Sequence, residues 1–207
     1  MKVVCVDISG MEAETCEALY ARATPERRAK ADRYRAEEDK IRCVVAGALL
    51  ARAVQESLGV LEYTLERNGY GKPYIKNAEQ FYFNLSHSGR WVVIAYGDSE
   101  VGIDVEQIRE DARRQELARR YFTADEQEFI FRSEEGCPER FFQIWTGKES
   151  FLKFLGTGLT RPLDSFSVLT MQNRLHTHML EGGYCMTLCA DAPSYSVELL
   201  DARLLLT

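Results

Sequence analysis

Long hydrophobic runs are missing from this sequence. No apolar stretch approaches the roughly 20 residues that a membrane helix needs, so a helical membrane span is excluded. The opening MKVVCVDISG does carry an apolar run, but Asp7 stops it early. It reads as a first strand rather than a signal peptide, and the expectation is a soluble, cytoplasmic protein with no membrane partner. A surplus of positive charge is missing as well: 26 Lys and Arg face 32 Asp and Glu, for a net charge of −6. That balance argues against a general nucleic-acid binder, although a local basic patch remains possible. No low-complexity or linker-like segment interrupts the chain. Cysteine is not scarce, but without a secretory signal Cys5, Cys16, Cys43, Cys137, Cys185 and Cys189 read as free, mostly buried thiols. Cys185 and Cys189 are not spaced as a CxxC metal knuckle. His176 and His178 alternate in RLHTHML and could share a strand face, where a second metal site is one alternative.

What is present is ordinary globular composition: 207 residues, 45% apolar and 28% charged. This suits one large domain or two small halves, with enough chain to bury a core. After a strand over 2–8, Thr24 and Pro25 offer an N-cap and a proline at the first helical position. The helical pattern runs on to Leu58 and stops at Gly59, with a break near Ala36. Strands are predicted over 63–66, 81–85 and 91–96, with the turn NGYGKP after the first and SHSGR between the last two. The second half predicts a strand at 101–108, helices over 111–121, 123–132 and 138–155, then strands over 165–170, 174–180, 184–189 and 195–200. Thr123 and Glu126 form a capping-box signature. Each half thus reads as strand, helices, then strands. The fold class is α/β (α+β), in two similar lobes divided near residue 100 and related by a pseudo-twofold axis, with a ligand cleft between them.

Three stretches carry chemistry. In VGIDVEQI, residues 101–108, the apolar Val101, Ile103 and Val105 alternate with Gly102, Asp104 and Glu106. Carboxylates on alternate strand residues lie roughly 6.6–7 Å apart and repel by about 2–2.5 kcal/mol at an effective dielectric near 20. Solvent, neighbouring cations or a shared metal ion would each relieve that repulsion. In FFQIWTGKESFLKFLGTGL, residues 141–159, Glu149 falls at helical spacing among Phe142, Trp145 and Leu152, and Lys148 follows Phe141 and Ile144. A charge on such a stripe needs an ion-pair partner or a metal. Three carboxylates without histidine or cysteine suit a hard, oxygen-loving cation such as Mg²⁺, which points to phosphate chemistry. Around them, Asn84 to Gly89 offers hydroxyls, an imidazole and backbone amides at a turn. Arg27, Lys30, Arg42 and Lys72 are either surface cations or a phosphate cradle.

In order and spacing, GKP (71–73), FNLSHSGRW (83–91), VGIDVE (101–106) and WTGKESFLK (145–153) resemble the 4′-phosphopantetheinyl transferases, especially the two-lobed Sfp type. The likeness runs from about residue 24 to 170 and includes TPERRAKADRYRAEEDKIR and GTGLTRPLDSFSV. It implies an N-terminal lobe over 1–100, a C-terminal lobe over 101–207, and coenzyme A bound between them. The implied reaction is Mg²⁺-dependent transfer of phosphopantetheine to a serine of an apo acyl or peptidyl carrier protein, releasing adenosine 3′,5′-bisphosphate. By motif position, Asp104, Glu106 and Glu149 would hold Mg²⁺, and Glu149, directly or through a water, would deprotonate the serine. Lys148 and Lys153 would neutralise phosphate charge. Ser86, His87, Arg27, Lys30 and Arg42 would grip the ligand's phosphates, with Lys72 lining the same site. Members of this type are monomers. Arg27 departs from the more common lysine, and Cys43 from a small hydroxyl residue. A Mg²⁺-dependent hydrolase of coenzyme A and a binding module without turnover are the competing readings. The basic RRQELARRY, residues 113–121, is either a docking face for an acidic carrier or a solvated helix.

Overall fold

The structure is a computed structural model that describes residues 1–110, 113–132, 137–192 and 194–206. After β1 (Lys2–Asp7) comes α1 (Ala13–Arg22), a helix absent from the sequence-based expectation. The predicted 24–58 helical stretch forms as α2 (Pro25–Ala31) and α3 (Glu37–Leu58). Thr24 accepts the Arg27 amide at 3.2 Å and so satisfies one of the donors left open at the start of α2. The division falls where Ala36 turns extended, and Gly59, with φ of 69°, closes α3 in the left-handed conformation. A small hairpin of β2 (Leu65–Arg67) and β3 (Pro73–Ile75) brackets the NGYGKP turn. β4 (Tyr82–Ser88) runs past its predicted end at Leu85, so Ser86 and Ser88 are strand residues and the turn begins only at Gly89. β5 (Trp91–Gly97), β6 (Val101–Gln107), α4 (Arg113–Tyr121), α5 (Ala124–Ile130) and α6 (Pro138–Leu155) follow close to expectation. The first two residues of the predicted 111–121 helix lie outside the described residues.

The strand expected over 165–170 does not form. In its place stand two 3-10 turns, Leu163–Ser165 and Val168–Thr170. Side chains occupy the backbone groups that a neighbouring strand would need. Lys148 Nζ donates to the carbonyls of Leu163 and Phe166 at 2.7 Å each, and the Val168 amide donates to Glu126 at 2.8 Å. The last three strands, β7 (Leu175–Leu180), β8 (Tyr184–Ala190) and β9 (Ser196–Leu200), form as read.

Alternation along β1 sends Val4 and Val6 to one face and Val3 and Cys5 to the other, and both faces are buried. β1 is accordingly interior, antiparallel to β5 and parallel to β9, in a sheet ordered β4-β5-β1-β9. A second antiparallel sheet is ordered β6-β8-β7. One face of the first sheet packs on Leu49, Leu50 and Val54 of α3. Its other face meets Ile103, Val105, Met186 and Leu188 of the second sheet. The far face of that second sheet carries Cys185 and Cys189 against Phe141, Ile144, Phe151 and Leu152 of α6. The result is a mixed α/β sandwich of helix, sheet, sheet and helix. The chain path is less simply divided than a cut at residue 100 suggests, because β9 returns from the second half to flank β1. The described cysteines are all free thiols.

Candidate active site

Val101, Ile103 and Val105 are fully buried toward the first sheet, which turns Gly102, Asp104 and Glu106 the other way, toward α6. Gly102 has a specific reason to be glycine. A Cβ there would lie 2.0 Å from the Ser150 carbonyl oxygen and 2.4 Å from the Phe154 nitrogen. Only the missing side chain lets the helix backbone lie against the strand. That contact brings the Glu149 to Lys153 turn of α6 beside Asp104. Lys153 Nζ donates to Asp104 Oδ1 at 2.7 Å, to the Ile103 carbonyl at 3.1 Å and to Ser86 Oγ at 3.1 Å. Ser86 donates to the same Asp104 Oδ1 at 2.9 Å, and Ser88 donates to Glu106 Oε2 at 2.9 Å.

Asp104 is only 4% exposed, and its second oxygen, Oδ2, is buried without a hydrogen-bond partner. Burial, followed by the charge of Asp104, pushes the carboxyls of both Glu106 and Glu149 up from the ordinary glutamate value. Ser88 opposes that rise at Glu106, and Lys153 opposes it at Glu149. The three acids therefore sense one another, as the sequence suggested. They do not, however, stand as an assembled metal site: among the described residues no three His, Cys, Asp or Glu side chains are grouped to hold an ion. Lys153 and Ser86 instead engage Oδ1 of Asp104, and Ser88 engages Oε2 of Glu106. The oxygen-only donors and the orphaned Oδ2 nevertheless fit a hard divalent cation.

The cations divide into three groups. Arg42, Lys153 and Lys30 gather around His87, whose pKa is lowered first by partial burial and then by these three positive charges. Arg42 is itself tied to Asp39 at 2.7 Å and to the Gly89 carbonyl at 2.6 Å, which fixes the β4–β5 turn. Arg27 lies across α3, its side chain filling the space over Gly47. Lys72 donates to Glu100 at 2.6 Å and to the Val101 and Phe154 carbonyls at 3.1 Å each, so it joins strand to helix. It also lines a cavity of about 220 Å³ with Asn84, Glu149 and Lys153.

Lys148 must be moved out of the site. It is 1% exposed, forms an ion pair at 2.8 Å with the fully buried Glu126, and caps the Leu163 and Phe166 carbonyls. Its ammonium lies 4.4 Å from the centre of the Phe166 ring. Its protons are engaged on the side of α6 away from Asp104, and its burial there keeps it from a ligand beside Asp104. His176 and His178 do share a face, where both pack against Tyr195, His176 tilted and His178 edge-on, and His178 Nε2 lies 2.8 Å from the tyrosine hydroxyl. The sequence places Asn84 and Ser88 only in a polar turn that could bind phosphate and gives neither a contact with β6. The signal that could have found them is the alternation Asn84, Ser86, Ser88, which puts three polar groups on one strand face.

Comparison with known proteins identifies the family. The profile described as "4'-phosphopantetheinyl transferase superfamily" matches residues 100–194, and "4'-phosphopantetheinyl transferase, N-terminal" matches residues 12–99. The 4'-phosphopantetheinyl transferase Sfp of Bacillus subtilis is 32% identical over 204 residues, covering 90% of both chains. The 4'-phosphopantetheinyl transferase psf-1 of Bacillus pumilus is 30% identical over 230 aligned positions, covering 100% of this chain and 98% of its own. HetI of Nostoc, a 4'-phosphopantetheinyl transferase, is 31% identical over 151 residues, covering 69% and 63%.

Proposed function

Because this chain belongs to the 4′-phosphopantetheinyl transferase superfamily, we propose that it takes the 4′-phosphopantetheinyl group from coenzyme A and places it on a serine of an apo carrier protein. The carrier would be an acyl or a peptidyl carrier protein, and adenosine 3′,5′-bisphosphate would leave. The observation that carries the reading is the Gly102 contact, which sets Glu149 and Lys153 of α6 beside Asp104 of β6.

In this reading the buried Asp104 and the half-buried Glu106 and Glu149, which repel one another, would hold Mg²⁺, with the free Oδ2 of Asp104 as the readiest donor. When bound, the ion would polarise the pyrophosphate and ease departure of the nucleotide. Glu149 accepts the serine proton as the serine oxygen attacks phosphorus. Lys153 offsets charge on the bridging and leaving oxygens, and His87 with Ser86 orients the phosphates. Lys30, Arg42 and Arg27 supply positive charge for the 3′-phosphate, and Lys72 shapes the cavity beside Glu149. The lobes 1–100 and 101–207, a monomeric state and a cytoplasmic setting belong to the same reading. The adjoining profile matches support the lobe division.

Mass spectrometry of a panel of apo carriers with coenzyme A and Mg²⁺ tests the proposal. A carrier gaining one phosphopantetheinyl group supports it, while nucleotide release without that gain would mean hydrolysis. Glu149→Gln is expected to abolish the gain and leave the circular dichroism spectrum and melting temperature unchanged. Near-wild-type turnover in that variant would remove Glu149 from its role.

A further inference from the structure

β4 carries Asn84, Ser86 and Ser88 on one face, and each repeats the same contact one step along β6. Asn84 Oδ1 accepts the Ile103 amide at 2.9 Å, Ser86 Oγ that of Val105 at 3.4 Å, and Ser88 Oγ that of Gln107 at 3.2 Å. The two serines also donate, Ser86 to Asp104 and Ser88 to Glu106. Each hydroxyl thus accepts from one residue of β6 and donates to the carboxylate just before it. At the Asn84 step the preceding residue is Gly102, which has no side chain to receive a proton.

The pattern has a physical cause. β6 pairs with a strand on one edge only, β8. On its other edge the amides of Ile103 and Val105 would be buried without partners, at about 1–3 kcal/mol each, while that of Gln107 lies at the exposed end of the strand. Side chains of β4 provide the acceptors that the carbonyls of a paired strand would otherwise provide. A hydroxyl has a single proton. Once its lone pair is committed to the Gln107 amide, the proton of Ser88 is directed at Glu106 Oε2 and fixes how that carboxylate is turned.

We propose that Ser88 is a positioning residue that holds Glu106 oriented for a divalent cation, a role that rests on the reading of the site given above. In this role Ser88 acts on the Glu106 carboxylate rather than on coenzyme A or the reacting serine. Its contribution is to metal affinity, through the carboxylate, and not to the chemical step.

Mn²⁺ titrated into the coenzyme A-loaded protein and followed by electron paramagnetic resonance tests this, alongside transfer assays at varied Mg²⁺. Ser88→Ala is expected to weaken Mn²⁺ binding about tenfold and raise the Mg²⁺ needed for half-maximal transfer by a similar factor, with kcat at saturating Mg²⁺ and KM for coenzyme A within about twofold. Ser88→Thr, which restores the hydroxyl, is expected to recover the affinity. If the alanine variant does not fold, Ser88→Cys, with its weaker donor, is expected to give an intermediate Mn²⁺ affinity. Unchanged Mn²⁺ binding in folded Ser88→Ala or Ser88→Cys, or no recovery with threonine, overturns the proposal. A wild-type protein that binds no Mn²⁺ and needs no divalent cation would instead overturn the reading of the whole site.

Discussion

Lys148 and Glu149 are neighbours in the chain, yet they serve different sides of α6. Lys148 turns inward to Glu126 and the carbonyls of Leu163 and Phe166, while Glu149 lies within reach of the charge on Asp104. Both break an apolar helical stripe, so the sequence marked both as charges needing a partner. It could not assign the partners, because Glu126 belongs to another helix and reads on its own as half of a capping box. That box does form, with the Thr123 amide donating to Glu126 Oε2 at 3.0 Å. The same carboxylate then serves Lys148 and Val168 as well. Removing one partner of such a buried pair leaves the other charge unpaired, so Lys148→Met is expected to lower unfolding free energy by about 3–5 kcal/mol. Urea denaturation measures it. A loss of transfer at unchanged stability would return Lys148 to the catalytic group.

At the level of elements, the decisive contact is strand β6 against helix α6. The bounds of α6 were legible because Pro138 opens it and Gly156 closes it in the left-handed conformation. The glycine of VGID was visible too, but its purpose was not. A one-dimensional pattern records that a side chain is missing and says nothing of the backbone that fills the space. Gly102→Ala must push the Ser150–Phe154 backbone away, at about 1–3 kcal/mol or more for an overpacked site. It is expected to lower the melting temperature and to reduce transfer beyond what the stability loss explains, since Glu149 and Lys153 move with the helix. Thermal unfolding read with kcat at a temperature where the variant stays folded checks this. An unaltered kcat would mean that the helix position is not critical. The misread strand at 165–170 teaches the converse: an apolar segment does not become a strand when buried side chains have already taken its amides and carbonyls.

Over the whole molecule, the two sheets are bound by an apolar layer and by the Asn84, Ser86 and Ser88 contacts across to β6. β9 then crosses back to pair with β1. Separate fragments 1–100 and 101–207 would each expose an apolar sheet face, and the first would also lack the strand that covers β1. Each is expected to be insoluble or molten alone, and the pair to recover ordered structure when expressed together. Amide proton–nitrogen spectra of the fragments and of the mixture decide it. A well-dispersed spectrum from fragment 1–100 alone would show that its half folds independently.

The sequence by itself determined the mixed α/β class, most helices and strands, and the residue types for phosphate chemistry, because these follow from periodicity, capping and local charge. Asp104 and Glu106 stood out in VGIDVEQI for that reason. Only the tertiary structure decided that Gly102 admits α6, that Lys148 belongs to Glu126, and that Ser88 holds Glu106. Each of these joins residues far apart in the chain, and which groups share a buried space is set by packing in three dimensions.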